Sequence, residues 1–235
     1  IALLYPLIIA PLFNKFTELE DGPLKVRLTK LAEKTSFKAK GIFVMDGSKR
    51  SSHSNAYFTG FGKARRIVLY DTLINTLSDE EIEGVLAHEI GHFKKKHIIH
   101  TLAMSLLIAV LFFFILSVLI DYIPLYNAFG FKESSYPAIL IILSFCMGPF
   151  SFFLTPVFNS KSRKNEYAAD KYAAETTGNP EPLINALINL GKENLSNLTP
   201  HRLFSFFNYG HPVLSERIKA LKNLSTNNKK EIGND

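Results

Sequence analysis

Residues 86–120 read LAHEIGHFKKKHIIHTLAMSLLIAVLFFFILSVLI, and this stretch decides the fold class. Its first part places two histidines four residues apart, whereas its last part, residues 101–120, contains no charged residue. A helix needs ~20 apolar residues to cross a hydrocarbon core of about 30 Å. The stretch therefore joins a polar motif to a predicted membrane-spanning helix.

A second uncharged run covers residues 134–160, so a hairpin of two transmembrane helices is predicted. Lysines 94–96 precede the first run, and a basic cluster at residues 161–164 follows the second. The connecting loop, residues 121–133, holds one lysine and two acids. The positive-inside rule then places both outer ends of the hairpin in the cytoplasm. The alternative is a pair of buried core helices in a soluble protein.

The chain opens with IALLYPLIIAPLF, residues 1–13, which has the composition of the end of a further membrane helix. We therefore expect a longer protein with more membrane helices upstream. The net charge is +6, and basic residues flank the apolar runs at positions 94–96 and 161–164, where they suit a membrane boundary, so no nucleic-acid partner is predicted. Cys146 is the single cysteine, which excludes a disulfide framework.

A small sheet is predicted before the motif. Three segments are rich in β-branched and aromatic residues and are predicted to be strands: residues 41–45 (GIFVM), 55–59 (NAYFT) and 66–70 (RIVLY). Gly60 and Gly62 predict a turn between the last two strands. An amphipathic helix is predicted over residues 23–34.

The helix that carries the motif has a defined start. Ser78 is a favoured N-cap residue, and Glu81 three residues later completes a capping box. No proline follows before Asp121, so one helix is predicted to run from this box through the motif into the membrane. In the second run, Pro149 and Pro156 predict a kink or a break.

Two further helices are predicted after the second apolar run. The first covers residues 161–175, and the second is capped by Asn179 and ends near Gly191. The polar composition from residue 223 onward predicts a disordered tail.

The motif itself is His88-Glu89-Ile90-Gly91-His92. Histidines at positions i and i+4 project from one face of a helix, close enough to bind a single ion. Imidazole nitrogens suit Zn²⁺, and a catalytic zinc site uses three protein ligands with one position left for water. Glu89 is placed to take a proton from that water. The alternative is a core helix with histidines on one face.

Glu166 is the predicted third ligand. The two ends of a membrane hairpin return to the same side, so the helix after the second run lies beside the motif helix. Asp170 lies four residues further along the same face, where it could accept a hydrogen bond from a ligand histidine or transfer a proton. The alternative for Glu166 is a solvated carboxylate among basic residues. For His211, which precedes Pro212, spacing alone leaves a structural and a functional role equally open.

Four runs of the sequence resemble the type I CAAX prenyl proteases, a family of integral-membrane zinc peptidases. They are SKRSSHSNAYFTGFGKARRIVLYDTL (48–73), LAHEIGHFKKKH (86–97), SRKNEYAAD (162–170) and HPVLSERIKAL (211–221), and they occur in this order. The resemblance implies one Zn²⁺ bound by His88, His92 and Glu166, with Glu89 as the general base.

The resemblance also implies roles for residues outside the motif. Asp170 is implied as a supporting or proton-donating acid, and His211 as a donor toward the oxyanion of the transition state. Asn55 and Ala56 are implied on an edge strand that pairs with an extended substrate. Arg217 is implied as the partner of an acid near the site.

The predicted fold class is a mostly α membrane protein with an α+β zincin-like catalytic core, a small sheet and a two-helix transmembrane hairpin. Five parts are predicted along the chain: the end of a truncated transmembrane helix (1–13), a sheet-containing catalytic part with the motif helix (14–100), the transmembrane hairpin (101–160), the third-ligand helix with a C-terminal catalytic part (161–222), and the disordered tail (223–235).

The implied function is a membrane-embedded zinc metalloendopeptidase that removes C-terminal residues from isoprenylated CAAX proteins or peptides. Its expected partners are that substrate and the lipid bilayer. Its expected location is the endoplasmic reticulum or bacterial inner membrane, as a multi-pass protein with its active site toward the cytoplasm. The alternatives are a quality-control zinc peptidase for membrane proteins, an inactive membrane scaffold, and an RNA- or lipid-binding protein that uses the basic residues.

Overall fold

The structure, a computed structural model, describes residues 10–49, 51, 54–59, 65–193 and 197–232. The described residues fall into two compact units. The first unit is drawn from Ile1–Lys95, Lys164–Pro200 and Pro212–Asp235, and the second from Lys96–Arg163 and His201–His211. The predicted membrane helix end at residues 1–13 is described only from residue 10 onward, and the predicted turn at Gly60 and Gly62 lies outside the described residues.

The first unit contains a four-stranded mixed sheet. Its strands are β1 (Phe16–Glu18), β2 (Ile42–Met45), β3 (Ala56–Thr59) and β4 (Arg66–Tyr70). Their order is β1-β2-β4-β3, with β2 parallel to β4 and the other two pairs antiparallel. The three predicted strands are confirmed. The short β1 has the sequence FTE and lacks the apolar pattern that identified the others.

Ten helices are described. They are α1 (Ala10–Phe13), α2 (Pro23–Lys34), α3 (Asp71–Thr76), α4 (Asp79–Lys94), α5 (His97–Leu119), α6 (Ile123–Ala128), α7 (Tyr136–Thr177), α8 (Glu181–Glu193), α9 (Arg202–Asn208) and α10 (Leu214–Ile232). The predicted helix at residues 23–34 is confirmed as α2, and Asn179 caps α8 by accepting a hydrogen bond from the Glu181 N–H at 3.1 Å.

The core of the first unit lies between the sheet and α4. One face of α4 is buried through Ile82, Leu86 and Ile90, and it packs against α2, α8 and β3. Gly84 permits the close approach of α8, because a Cβ there would lie 3.1 Å from the Leu183 backbone nitrogen. The motif helix is thus fixed by packing on several sides.

The predicted continuous helix from the capping box into the membrane is wrong. Helix α4 ends at Lys94 and α5 begins at His97, because Lys96 adopts a left-handed conformation with φ 56° that cannot continue an α-helix. The two helices also differ in character, since α4 buries one face whereas His97 is the single buried residue of α5.

The predicted separation of the second apolar run from the Glu166 helix is also wrong. Helix α7 continues through Pro149 and Pro156 to Thr177. Proline fixes φ near −65°, which is a helical value, so each proline removes one backbone hydrogen bond without forcing the helix to end.

The C-terminal helix extends into the segment that was predicted to be disordered. Helix α10 continues to Ile232, whereas the disordered tail was predicted from residue 223. The buried Leu221 and the partly buried Leu224 pack against the core, and this apolar contact favours the helix beyond residue 223.

Helices α5 and α7 are long and apolar enough to cross a membrane. Apolar side chains cover most of their described surface, as at Phe113 and Phe153, which are 64% and 72% exposed. At the loop end of the pair, Tyr126 is fully buried against Ile139 and Ile142 of α7 and Leu116 of α5. The predicted mostly α fold with a small sheet and two apolar helices is confirmed.

Candidate metal centre

Helix α4 begins with the predicted capping box, which fixes the start of the motif helix. The Ser78 N–H donates to Glu81 Oε2 at 2.8 Å, and the Glu81 N–H donates to Ser78 Oγ at 3.3 Å. Asn189 of α8 donates to the other Glu81 carboxylate oxygen at 3.1 Å. From this start, His88 and His92 fall on one face of the helix, four residues apart.

The structure brings His88, His92 and Glu166 together. The two histidine Nε2 atoms lie 3.1 Å apart. Glu166 Oε2 lies 3.6 Å from His88 Nε2, and Glu166 Oε1 lies 3.4 Å from His92 Nε2. His88 and Glu166 are buried, whereas His92 is partly exposed.

These separations fit a zinc ion. A tetrahedral site with metal–ligand bonds of about 2.1 Å has ligand-to-ligand edges of about 3.4 Å. The donor set of two imidazole nitrogens and one carboxylate is also one that catalytic zinc sites use. His88, His92 and Glu166 therefore have the chemistry and the spacing to hold Zn²⁺ with one position left open.

Asp170 sets the tautomer of His88. Its Oδ1 lies 2.8 Å from His88 Nδ1, so the Nδ1–H donates to the carboxylate and Nε2 keeps its lone pair for a metal. Helix α7 supplies both carboxylates, because Glu166 and Asp170 are four residues apart on one face.

Arg217 of α10 forms a bidentate ion pair with Asp170. Its Nε donates to Asp170 Oδ2 at 2.8 Å, and one Nη donates to Oδ1 at 2.6 Å. The other Nη lies 3.5 Å from Glu166 Oε2. Desolvation by burial acts to lower the pKa of Arg217, but the hydrogen bonds and charge of Asp170, together with the charges of Glu166 and Glu89, raise it overall. The guanidinium thus stays charged and holds both acids of α7 in place.

Glu89 lies beside these residues without belonging to the ligand cluster. Burial raises the pKa of its carboxyl, because the protein around the carboxylate replaces water. The neighbouring His88 and His92 act to lower this pKa, and Glu166 acts to raise it. Three carboxyl groups, those of Glu89, Glu166 and Asp170, lie near the guanidinium of Arg217. Their negative charge exceeds its positive charge, and this excess favours a bound dication.

Gly91 allows α4 and α7 to approach closely enough to assemble the cluster. A Cβ at this position would lie 3.1 Å from both Cα and the carbonyl oxygen of Ala169, and 3.2 Å from Tyr172 Cβ. Two of these neighbours are backbone atoms, so they cannot move without moving the helix. Ala169 lies between Glu166 and Asp170 in the chain, so such a shift would move both carboxylates.

Gly91→Ala is therefore expected to weaken zinc binding by roughly ten- to hundredfold, the range typical for changes in the surroundings of a metal site. The substitution should stabilise α4 itself, since alanine is favoured over glycine in a helix by about 1 kcal/mol, so weaker zinc binding would not come from a weaker helix. Competition with a chelator of known affinity measures the change. Gly148→Ala in α7 is the matched control, because a Cβ there meets no atom within 4 Å. Zinc affinity equal to that of the wild type in Gly91→Ala would contradict the packing argument.

The predicted substrate residues lie at the edge of the sheet. Asn55 is exposed, Ala56 is buried, and β3 is the last strand in the sheet order. The Tyr70 N–H donates to the Asn55 carbonyl at 3.0 Å, so antiparallel alternation directs the backbone groups of Ala56 and Phe58 away from β4. The Ala56 N–H is bonded to Asn55 Oδ1 at 2.8 Å.

His211 is exposed and lies three residues before α10 begins. The ligand cluster does not include it, and its role stays a prediction. Sequence reasoning missed the contact between Gly91 and Ala169. The signal was a glycine inside a helix, at a cost of about 1 kcal/mol against alanine, in the middle of the motif.

Comparison with known proteins gives a family match and similar proteins that are named as proteases. Peptidase family M48 matches residues 18–225. CAAX prenyl protease 1 of Saccharomyces cerevisiae is 44% identical, over 95% of this chain and 53% of that protein. The human CAAX prenyl protease 1 homolog is 37% identical, over 92% of this chain and 54% of that protein.

A solved structure is similar along most of the chain. The crystal structure of S. mikatae Ste24p superposes with a TM-score of 0.84 at 42% identity, covering 93% of this chain and 54% of that one. The chain thus spans about half the length of the curated relatives that it matches. From the extent of the family match, with the metal-ligand cluster that α4 and α7 form, the chain belongs to peptidase family M48.

Proposed function

We propose that the chain carries the active site of a membrane-embedded zinc metalloendopeptidase. The observation that supports this most directly is the ligand cluster beside a further carboxylate, Glu89. The two histidine Nε2 atoms lie 3.1 Å apart, and the two Glu166 carboxylate oxygens lie 3.6 and 3.4 Å from them. A structural zinc site is closed by four protein ligands. The described residues offer three, which favours a catalytic site.

A zinc ion bound there supplies polarisation of a peptide carbonyl and activation of a water molecule as the nucleophile. Glu89 accepts the proton of that water and later donates it to the leaving amine. In the metal-free chain, burial raises the pKa of Glu89 above that of a free glutamate, which makes its carboxylate a stronger base.

Asp170 supports the site by orienting His88 rather than by donating a proton to the substrate. Both of its oxygens are engaged, one by Arg217 Nε and the other by Arg217 Nη and His88 Nδ1. A carboxylate held by a guanidinium in this way keeps its charge. The remaining predicted role, a hydrogen bond toward the oxyanion, is assigned to His211.

The edge strand β3 binds the substrate backbone in extended form. The Ala56 carbonyl and both backbone groups of Phe58 point away from β4, where an added strand would pair with them. Asn55 orders the start of this edge through its hydrogen bond to the Ala56 N–H.

The substrate is an isoprenylated CAAX-type protein or peptide, and the chain is part of a multi-pass membrane protein. The names of the relatives support the substrate class. The exposed apolar surfaces of α5 and α7 support contact with a lipid bilayer. The lysines before α5 and the basic residues that follow the second apolar run favour a cytoplasmic active site, in the endoplasmic reticulum or a bacterial inner membrane.

A prenylated peptide is expected to be cleaved with a kcat/KM at least about tenfold above that of the same peptide without the prenyl group. Burial of only two methylenes contributes ~1.6 kcal/mol, which is more than tenfold. Both rates are measured with the chain in lipid vesicles, and the Glu89→Gln variant serves as the control for contaminating proteases. Equal rates would instead favour the quality-control peptidase.

A further inference from the structure

Helix α9 exposes a surface that the proposed chemistry does not use. Its sequence is RLFSFFN, and Leu203, Phe204 and Phe206 are 65%, 54% and 46% exposed. Residues 201–211 contain no acidic side chain. Three large apolar side chains exposed together on seven residues form a patch of the kind that marks a protein or membrane contact.

Helix α9 is attached to α7 near the end of the second apolar run. The Phe207 ring stacks on Phe152 with centroids 4.8 Å apart and planes at 14°. Asn159 Nδ2 donates to the Phe207 carbonyl at 2.8 Å, and Arg163 Nη1 donates to the Tyr209 carbonyl at 2.7 Å. These contacts fix the position of α9 along the axis of α7.

That position coincides with the expected boundary of the hydrocarbon core. The uncharged run ends at Ser160, one residue beyond Asn159. At 1.5 Å per residue, Phe152 lies about 10 Å deeper along α7 than Asn159, and Arg163 lies about 6 Å further out. Aromatic and basic residues concentrate at this level of a membrane protein.

We propose that α9 is an interfacial helix, which inserts Leu203, Phe204 and Phe206 into the boundary between the acyl chains and the headgroups of the bilayer. The proposal rests on the proposed membrane span of the hairpin that α5 and α7 form. Its apolar patch continues the exposed surface of that span, where Phe150 and Phe153 are also exposed.

The composition of α9 and its surroundings favours lipid as the occupant of this patch. Helices that lie in a membrane interface combine aromatic and aliphatic residues on one side with basic residues on the other. Arg202 is exposed at the start of α9, and Arg163 lies with its guanidinium carbon 5.9 Å from the Phe206 ring. Both cations complement anionic headgroups.

Single-tryptophan fluorescence tests this assignment, because the chain contains no tryptophan. Phe204→Trp and, separately, Phe206→Trp report on α9. Phe113→Trp reports on the exposed middle of α5, and Val26→Trp reports on exposed α2. Each variant is reconstituted in phosphatidylcholine–phosphatidylglycerol vesicles, and circular dichroism verifies equal helix content. The quenchers are lipids brominated near the headgroup, lipids brominated near the chain end, and aqueous acrylamide.

The α9 reporters are expected to show several-fold stronger quenching by the shallow bromines than by the deep ones, with less acrylamide quenching than Val26→Trp. An interfacial helix buries its apolar face by only ~5–10 Å, which places these side chains near the shallow bromines. Acrylamide quenching equal to that of Val26→Trp would overturn the proposal. Protection from every quencher would overturn it too, since protein would then cover the patch.

The α5 reporter separates failure of this proposal from failure of the proposed membrane span. Strong quenching of Phe113→Trp by the deep bromines, together with no lipid quenching at α9, rejects only the interfacial helix. Absence of lipid quenching in Phe113→Trp would reject the membrane span, and the interfacial assignment with it.

Discussion

Replacing Glu89 by Gln is expected to abolish peptide hydrolysis while zinc remains bound. Glutamine has nearly the same shape as glutamate but cannot accept a proton from water. General acid–base catalysis contributes about 10²–10⁴-fold, and Glu89 is assigned both the base and the acid step, so a loss of ~10³-fold or more in kcat is expected. The measurement pairs the hydrolysis rate with metal analysis of the same sample.

The stability of the metal-free variant provides a second readout. Burial raises the pKa of Glu89 in the folded state, so its ionised form destabilises the fold at neutral pH. This cost is absent below the unfolded pKa of about 4.3, increases as pH rises from there toward the higher folded pKa, and is fully present above the folded pKa. Metal-free Glu89→Gln should therefore have a melting temperature at or above that of the wild type at pH 7, with no difference at low pH.

Glu33→Gln is the matched control, because Glu33 is exposed on α2. It should change neither the rate nor the melting temperature. Unchanged hydrolysis in Glu89→Gln would reject the assigned mechanism. Loss of zinc together with activity would instead place Glu89 among the ligands.

The part of the site that topology controls could be predicted from the sequence. Two apolar runs of membrane-spanning length imply a hairpin, and a hairpin returns the segment after the second run toward the motif. Glu166 was inferred from this return, and the structure places its carboxylate 3.4 Å from His92 Nε2. The capping box at Ser78 was equally predictable, because it depends on residues three positions apart.

Features that depend on backbone contacts between distant segments could not be predicted. Nothing local distinguishes Gly91 as the position where Ala169 approaches, since the contact joins residues of two helices.

Lys96 interrupts the motif helix through a left-handed conformation, although lysine is a good helix former. Pro149 and Pro156 predicted a kink or a break, whereas α7 continues through both prolines. Proline is unfavourable inside a helix, but its fixed φ is compatible with helical backbone.

Glu166→Gln and His88→Ala are each expected to remove the stabilisation of the chain by zinc. A ligand that binds only the folded state raises the free energy of unfolding by about 2.7 kcal/mol at one hundred times its Kd. The wild type should therefore show a higher melting temperature in zinc. Both variants should show no shift at the same zinc concentration, because each lacks one of three protein ligands. Thermal unfolding with and without zinc, together with metal analysis, measures this.

The metal-free state distinguishes loss of the ligand from loss of the fold. Glu166 shares its surroundings with Glu89 and Asp170, and the Arg217 guanidinium contacts both acids of α7. Removal of one negative charge relieves repulsion between buried carboxylates. Glu166→Gln should therefore unfold no earlier than the wild type without metal, and fail only to respond to zinc.

Two controls of the same residue types complete the test. His100→Ala removes an exposed histidine of α5, and Glu175→Gln removes an exposed carboxylate of α7 whose partner is Lys171 at 3.7 Å. Both should keep the full zinc response. If Glu166→Gln also kept it while His88→Ala lost it, a different group would be the third ligand. The proposed peptidase site would then lose the geometry on which it depends.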